Sequence, residues 1–364
     1  MHKTILSAVL AFSAALSQAA DFQVKELATG LDRPWGMSFI SDNEVLVTEK
    51  GGTAKRVDLR SGKSQVVTGL PDDIYVYGQG GLLDVQNHSN GYSYFTYSKR
   101  SNEPGMHGRT TLARAKLSGN KLLEWEDLLV TESDSNTGRH YGSRIVFDGK
   151  GALFFSVGDR AMRQPAQDNS NHIGTVLRVD LDGKALTDNP FYNHSNSKAE
   201  IFSFGHRNPQ GLAFDSHGQL WEIEHGPRGG DEINKVMEGK NYGWPTVSFG
   251  KEYREDKMVG EATSKEGMVD AAKVYVPSIA PSSLMIYSGK AFPKWKDNFF
   301  AGALAQTHIN RLSLSKNGSL EEQERLLDDR NERIRYVTEG PKGYIYLLTD
   351  TGKLMELSPV RAKE

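Results

Sequence analysis

Short segments that alternate apolar residues with others recur six times along the chain, most of them starting at Gly or Ser. A period of two is typical of β-strands with one buried face. The six copies begin at Gly36, Gly81, Ser143, Gly211, Ser283 and Ile334, and successive starts are 45, 62, 68, 72 and 51 residues apart. A second run rich in aromatic or β-branched residues follows each copy, at 44–48, 92–97, 152–157, 219–223, 298–303 and 344–349. A third run follows in four units, at 54–59, 175–180, 310–314 and 353–357.

Tight turns join these runs. The dipeptides Asn90-Gly91, Asp148-Gly149, Asp182-Gly183 and Asn317-Gly318 supply residues that tolerate positive φ, which short hairpins require. Six units of three or four antiparallel strands predict an all-β fold, a six-bladed β-propeller, in which radial repetition leaves only short sheet edges. A two-sheet sandwich is the alternative, but six copies of one unit favour the propeller. We therefore expect a single domain over residues 21–364.

The first 20 residues have a different pattern. Lys3 precedes an apolar run from Ile5 to Leu16, and small residues stand before Asp21. This pattern is typical of a cleaved secretory signal peptide, and the run is too short to span a bilayer as a stable helix. A buried N-terminal helix is the alternative. We predict a signal peptide at 1–20 and a mature protein that is periplasmic or secreted, with no membrane span.

Charge and cysteine content narrow the classes of partner and metal. The 364 residues include 44 Lys and Arg against 46 Asp and Glu, a formal charge of -2, and no long basic run. Nucleic acid is therefore not an expected partner. The absence of cysteine from the sequence excludes disulfides and thiolate ligands, so a metal would be held by oxygen or imidazole groups. No Walker loop, Gly-x-Ser-x-Gly elbow or His-Glu-x-x-His motif occurs in it either.

Side chains suited to catalysis fall where the predicted strands start and end. In a propeller the first strand of each unit lines the central channel, so residues that flank these strands gather at one channel mouth. The candidates are Gln79, His140, Asp159, Arg207, Asn208, His225, Gly226, Pro227, Arg333 and Arg335. The sequence therefore predicts one site built from separated segments.

Several of these segments are longer motifs. They read GQGGLL at 78–83, HYGSRIVFD at 140–148, GHRNPQG at 205–211, HGPRGGDEIN at 225–234 and NYGWP at 241–245. On these motifs the chain resembles the soluble quinoprotein aldose (glucose) dehydrogenases over nearly its whole mature length. The RNPQG and GPRGGDE segments together are the specific part of the resemblance.

The resemblance implies an oxidoreductase that converts aldose sugars at C1 to lactones, with pyrroloquinoline quinone (PQQ) as cofactor and Ca²⁺ polarising its reactive carbonyl. His140 would be the general base for the C1 hydroxyl while hydride passes to the quinone, and Asp159 would orient its imidazole. Arg207 would stabilise negative charge on the quinone oxygen. The backbone carbonyls of Gly226 and Pro227 would bind Ca²⁺, which prefers oxygen ligands. Electrons would then pass to a quinone, cytochrome or dye acceptor.

By the same resemblance, a further set of residues would hold the cofactor. It consists of Gln79, Gln164, Arg207, Asn208, His225, Arg333 and Arg335. The two last arginines would donate to carboxylates of the cofactor, and Gln79 would also border the sugar pocket. The chain departs from the family at Ala305, where relatives place a lysine on the cofactor. Gln306, His308 and Arg311 are the candidates to replace that lysine.

Two other functions stay open at this point. A calcium-dependent hydrolase of sugar lactones shares the architecture, but it needs carboxylate ligands in place of quinone-binding arginines. A non-catalytic propeller that binds carbohydrate or protein and has lost PQQ is favoured by Ala305. Arg333 and Arg335 favour the dehydrogenase. We expect a monomer or a homodimer.

Overall fold

The computed structural model describes residues 22–360, so the predicted signal peptide at 1–20 lies outside the described residues. Within 22–360 the chain forms six four-stranded antiparallel sheets, and its helices are three short 3-10 segments, Gln164–Gln167, Pro293–Trp295 and Asp328–Arg330. The predicted all-β, six-bladed β-propeller is confirmed. No helix in this range has the length and hydropathy required to cross a membrane.

Each blade is built in chain order from the inner strand to the outer strand. Blade 1 contains β2 (Pro34–Ser41), β3 (Glu44–Glu49), β4 (Thr53–Asp58) and β5 (Ser64–Val67). Blade 2 contains β6 (Leu82–Asn87), β7 (Ser93–Lys99), β8 (Arg109–Ser118) and β9 (Lys121–Val130). Blade 3 contains β10 (Ile145–Phe147), β11 (Ala152–Val157), β12 (Thr175–Asp180) and β13 (Ile201–Phe204). Blade 4 contains β14 (Pro209–Phe214), β15 (Leu220–Glu224), β16 (Asp231–Val236) and β17 (Lys273–Tyr275).

The last two blades complete the ring, and the sixth takes its outer strand from the start of the chain. Blade 5 contains β18 (Pro281–Ile286), β19 (Phe299–Ala303), β20 (Ile309–Leu314) and β21 (Leu320–Leu326). Blade 6 contains β22 (Ile334–Glu339), β23 (Ile345–Thr349), β24 (Leu354–Pro359) and β1 (Phe22–Ala28). Phe22 pairs with Pro359 and Val24 with Leu357. This pairing closes the ring, because it ties the two ends of the chain into one sheet.

Apolar side chains pack between neighbouring blades. In one cluster, Phe300 of β19 and Trp295 lie with Val337 of β22 and Leu347 of β23, and all four are buried. Similar clusters occupy other blade junctions. Burial of these faces holds the blades in a fixed ring, which gives the channel a rigid wall.

A buried arginine closes the channel at its axis. Arg144 immediately precedes β10 of blade 3, and its guanidinium donates hydrogen bonds to the inner strand of each of the other five blades. The acceptors are the carbonyls of Trp35 (3.1 Å), Gln210 (2.8 Å), Ser282 (2.7 Å) and Arg335 (3.1 Å) and the Oδ1 of Asp84 (3.2 Å). Arg144 lines the cavity at one mouth, whereas its acceptors Trp35, Gln210 and Arg335 line the cavity at the other. The predicted site is therefore a pocket closed at its base.

Candidate active site

Most of the predicted site residues lie at one channel mouth, around two neighbouring cavities. The axial cavity, about 500 Å³, is lined by Arg33, Trp35, Lys50, Gly78, Gln79, Asn208, Gln210, His225, Ala280, Leu304, Arg333, Arg335 and Asp350. The lateral cavity, about 600 Å³, is lined by Gln79, Arg139, His140, Asp159, Ala161, Arg163, Arg207, Trp244 and residues 252–255. Gln79 lines both. Gln164, by contrast, is exposed on its 3-10 segment and is absent from both linings.

The central feature of the lateral cavity is a buried pair, His140 and Asp159. The Nδ1 of His140 lies 2.6 Å from the Oδ1 of Asp159. The same carboxylate accepts the backbone N–H of Ala161 at 2.7 Å and the indole N–H of Trp244 at 2.6 Å. Because a carboxylate only accepts hydrogen bonds, Nδ1 carries the proton and Nε2 is left as the basic nitrogen.

The charge state of this pair follows from its surroundings. Burial lowers the pKa of His140 below its usual value, and the positive charge of Arg207 lowers it further. Burial opposes ionisation of Asp159, but His140 and Arg207 outweigh it and hold the pKa of this carboxyl below its usual value. At neutral pH the pair is therefore a neutral imidazole on a carboxylate.

The backbone of His140 is held in an uncommon conformation. Its φ is 54°, in the left-handed region that non-glycine residues rarely adopt. Its N–H donates to the Oε1 of Gln79 at 2.7 Å. A Cβ at position 158 would collide with the His140 carbonyl, so Gly158 is needed where this loop meets the end of β11. Strand ends from blades 2 and 3 thus fix the imidazole.

Arg207 and Asn208 are positioned by a glutamate of the next strand. The Oε2 of Glu224, at the end of β15, accepts the backbone N–H groups of Arg207 (2.6 Å) and Asn208 (3.0 Å). The Arg207 guanidinium donates to the His225 carbonyl at 2.9 Å and lies 5.3 Å from the ring centre of Trp244. Its Nε is buried and has no partner among residues 22–360. A buried N–H without an acceptor is uncommon in native proteins, and a bound ligand is one way to supply the acceptor.

The two predicted carboxylate-binding arginines share one acidic residue. Asp350 directly follows β23. Its carboxylate accepts hydrogen bonds from the Nε–H of Arg333 at 3.0 Å and from the Nε–H of Arg335 at 2.8 Å. The Arg335 guanidinium lies 4.6 Å from the ring centre of Trp35. Burial lowers the pKa of Arg335, and Asp350 opposes this effect. Both arginines retain N–H groups beyond those that Asp350 occupies.

The predicted calcium ligands lie in the turn between β15 and β16. Gly226 and Pro227 are buried, and the Gly226 N–H donates to the Oδ1 of Asp231 at 2.9 Å. Its carbonyl and that of Pro227 accept no hydrogen bond from the described part of the chain. A Cβ at position 226 would collide with the backbone of Gly230, so the turn needs glycine there. Two free carbonyl oxygens in a rigid turn fit a hard cation.

None of the three candidates to replace a lysine at position 305 lines the axial cavity. Gln306 accepts a hydrogen bond from Arg325, and its carbonyl lies 2.9 Å from Nδ1 of His308. Arg311 donates to Glu324 at 2.6 Å on the neighbouring strand. Lys50, which no sequence motif singled out, does line that cavity.

Comparisons with known proteins identify the family to which the chain belongs. A family model described as glucose/sorbosone dehydrogenase matches residues 31–356. The chain is 38% identical over 378 residues to the aldose sugar dehydrogenase YliI of Escherichia coli (strain K12), covering 99% of this chain and 100% of that protein. It is 27% identical over 423 residues to quinoprotein glucose dehydrogenase B of Acinetobacter calcoaceticus, covering 93% and 87%.

The fold agrees as well. The crystal structure of the soluble aldose sugar dehydrogenase from Escherichia coli, in its apo form, matches with a TM-score of 0.88 and 36% identity over 93% of this chain and 100% of that chain. These matches confirm the resemblance and support an oxidoreductase of the sugar dehydrogenase type. The chain belongs to the glucose/sorbosone dehydrogenase family.

Proposed function

We propose that this protein is a PQQ- and calcium-dependent dehydrogenase that oxidises aldose sugars at C1 to lactones and passes the electrons to a quinone, cytochrome or dye acceptor. The observation that carries the proposal is the arrangement at the lateral cavity. A neutral histidine on a carboxylate, His140 on Asp159, lies beside a buried guanidinium with an unpartnered N–H, that of Arg207. Because the predicted signal peptide directs export of the protein, the reaction would take place in the periplasm or outside the cell.

The residues present fit such a cofactor. PQQ is a planar tricarboxylate, and the neighbouring axial cavity presents Arg333, Arg335 and the indole of Trp35. The buried Nε–H of Arg207 is a further donor. Burying it without an acceptor costs free energy, and an acceptor on a ligand would remove that cost. Arg207, Asn208, His225, Gln79, Arg333 and Arg335 would hold the cofactor, and the carbonyls of Gly226 and Pro227 would hold Ca²⁺. Gln164 stays a prediction, since it is exposed and lines neither cavity.

The chemistry then divides between cofactor and protein. When bound, the quinone supplies the acceptor for the hydride that leaves C1 of the sugar. The Nε2 of His140 takes the proton of the C1 hydroxyl, a role that its lowered pKa suits because the imidazole is neutral at pH 7. The Asp159 carboxylate accepts the hydrogen bond from the Nδ1–H of His140 and stabilises the imidazolium that forms.

Arg207 would stabilise the negative charge that develops on the quinone oxygen. Its Nε–H is buried and has no acceptor among residues 22–360, and at a buried position a hydrogen bond to an anionic oxygen is stronger than in water. Trp244 packs beside the guanidinium and donates to Asp159, so one side chain restrains both the arginine and the acid. The histidine and the arginine are thereby held on one rigid wall.

The lactone hydrolase receives less support from this geometry. Such an enzyme would need carboxylates free to bind Ca²⁺, but Asp159 is engaged by His140 and Trp244. Asp350 is likewise engaged by both Arg333 and Arg335.

The experiment is dye-linked glucose oxidation by purified apo protein titrated with PQQ in the presence of Ca²⁺. We expect saturable activity for the wild type. His140→Gln should retain PQQ binding and lose about 10²- to 10⁴-fold in kcat, the range for a general base. His217→Gln, at an exposed turn of blade 4, is the matched control and should be unchanged. Absence of PQQ-dependent activity in the wild type, or full activity of His140→Gln, would overturn the proposal.

A further inference from the structure

The residue that directly follows the second strand of a blade lines the axial cavity in four of the six blades. These residues are Lys50 after β3, His225 after β15, Leu304 after β19 and Asp350 after β23. The propeller repeat therefore gives Lys50 the same placement as the site residues His225 and Asp350. Position 50 belongs to the cavity wall by the geometry of the fold.

Lys50 is held at this wall without an acidic partner. Its Nζ donates to the Gly78 carbonyl at 2.6 Å, and its backbone N–H donates to the Arg33 carbonyl at 3.1 Å. Within residues 22–360 it takes part in no salt bridge, whereas Arg33 is paired with Asp32 at 3.3 Å. Burial lowers the pKa of Lys50, and the positive charges of Arg33 and Arg335 lower it further.

The cavity as a whole carries more positive than negative charge. Its lining contains the cations Arg33, Lys50, Arg333 and Arg335 but one carboxylate, Asp350. That carboxylate is already occupied by the two arginines of blade 6. Cations gathered in a partly desolvated pocket repel each other, and an anionic ligand relieves the repulsion. Arg33 is paired with Asp32, and Arg333 and Arg335 are both paired with Asp350, so Lys50 is the cation of this lining that has no salt bridge within residues 22–360.

Blade 5 contributes no cationic side chain to the lining of the axial cavity. Leu304 is its contribution to the cavity wall, and Ala305 has no side chain that could donate. A lysine ammonium has three N–H donors, of which the Gly78 carbonyl occupies one. We propose that Lys50, supported by Arg33, binds a carboxylate of the cofactor from blade 1 and replaces the cationic contact that blade 5 lacks. This inference rests on the proposed function.

The test is equilibrium binding of PQQ to purified apo protein with Ca²⁺, measured by calorimetry, without substrate or turnover. The variants are Lys50→Met, Lys50→Arg and, as matched control, Lys63→Met at an exposed position of blade 1. Loss of a charged hydrogen bond predicts a Kd about 10- to 100-fold higher for Lys50→Met. Lys50→Arg, which keeps the charge, should retain most of the affinity, and Lys63→Met should bind like the wild type.

Thermal unfolding separates ligand binding from a structural role. Because Lys50 has no acidic partner, Lys50→Met should unfold at the same Tm as the wild type, or a higher one, without PQQ. The rise in Tm on adding PQQ should be smaller, since stabilisation by a ligand falls as Kd rises. A lower Tm for the ligand-free variant, not restored in Lys50→Arg, would assign Lys50 a structural role and overturn the inference.

The remaining outcomes distinguish this inference from the function on which it rests. If wild type and Lys50→Met bind PQQ equally well, the assignment of Lys50 is wrong and the proposed dehydrogenase stands. If the wild type binds no PQQ, the proposed function is wrong and the role of Lys50 falls with it.

Discussion

Two buried arginines, Arg144 at the channel axis and Arg207 at the channel mouth, differ in how their N–H groups are used. Arg144 and Arg207 are 3% and 6% exposed. The Arg144 guanidinium donates to acceptors on five other blades, four of them backbone carbonyls. The Arg207 guanidinium donates to one carbonyl, and its buried Nε has no partner among the described residues. A guanidinium saturated by the protein holds the fold together, whereas an unsaturated one is prepared for a ligand.

The difference follows from position. The inner strands of the other five blades direct acceptors towards Arg144, so its charge is stabilised entirely within the protein. Arg207 lies at the channel mouth, where the wall ends and fewer acceptors are within reach. The buried polar atom left unpaired there costs stability in the free protein, a cost that a bound anionic group offsets.

The largest expected effect is on stability. Arg144→Met removes donors to five blades and leaves the buried carboxylate of Asp84 without its cation. Breaking a buried pair in this way costs about 3–5 kcal/mol of the free energy of unfolding. Urea denaturation would measure the loss. Arg325→Met, which breaks the more exposed pair with Glu322, is the control and should change stability much less. Equal stabilities for the two variants would contradict the structural role of Arg144.

The matching substitution at the mouth should affect catalysis. Arg207→Met removes the guanidinium that we propose stabilises developing negative charge, so kcat of the PQQ-loaded protein should fall about 10²- to 10³-fold. Its free energy of unfolding should change less than that of Arg144→Met, because only one protein hydrogen bond of the guanidinium is lost. Steady-state kinetics and urea denaturation of the same samples provide both numbers. A large loss of stability with kcat unchanged would show that Arg207, like Arg144, serves the fold and not catalysis.

A smaller effect is expected at the indole that restrains the site. Trp244→Phe keeps an aromatic ring beside Arg207 but removes the N–H donor to the Oδ2 of Asp159. A lost hydrogen bond to a charged group predicts a decrease in kcat of about tenfold. Trp125→Phe is the control, since Trp125 also donates to a carboxylate, that of Asp127, on an outer strand. If both variants kept full kcat, Trp244 would have no role in orienting the acid.

The smallest effect is a shift in pH dependence. His140 must be neutral to accept a proton, so kcat/KM should fall as pH decreases through its pKa. That pKa lies below 6.5 because of burial and the charge of Arg207. In Arg207→Met the repulsion is gone, and the acid limb should move to higher pH. The measurement is a full pH profile in buffers of constant ionic strength. If the acid limb did not move, the charge of Arg207 would have no effect on the pKa of the base.

The first two strands of every blade and the third strand of four blades were predictable, and the outermost strands were not. First and second strands were found in every blade because they are rich in apolar, aromatic and β-branched residues; β11 and β23, for example, are buried over their whole length. The outermost strand of blade 5, β21, reads LEEQERL and is exposed over most of its length, and that of blade 4, β17, has only three residues. β1 could not be assigned to blade 6 from local pattern, since its partner β24 lies at the other end of the chain.

The site was predicted as a set of residues but not as a network. Motifs identified His140 and Arg207, and its place after a predicted strand identified Asp159; all three line one cavity. The roles of Glu224, Trp244 and Arg144 depend on contacts between strands far apart in sequence, which no local pattern encodes. Lys50 and Asp350 could have been found, because both directly follow a second strand, the placement that also marks His225.

The most direct test is a crystal structure of the protein with PQQ and Ca²⁺. We expect the cofactor at the mouth that holds His140, with an oxygen in hydrogen-bonding distance of the Arg207 Nε and with Arg144 keeping all its protein partners. A cofactor bound elsewhere, or a bound cofactor that leaves the Arg207 Nε unpartnered, would contradict it.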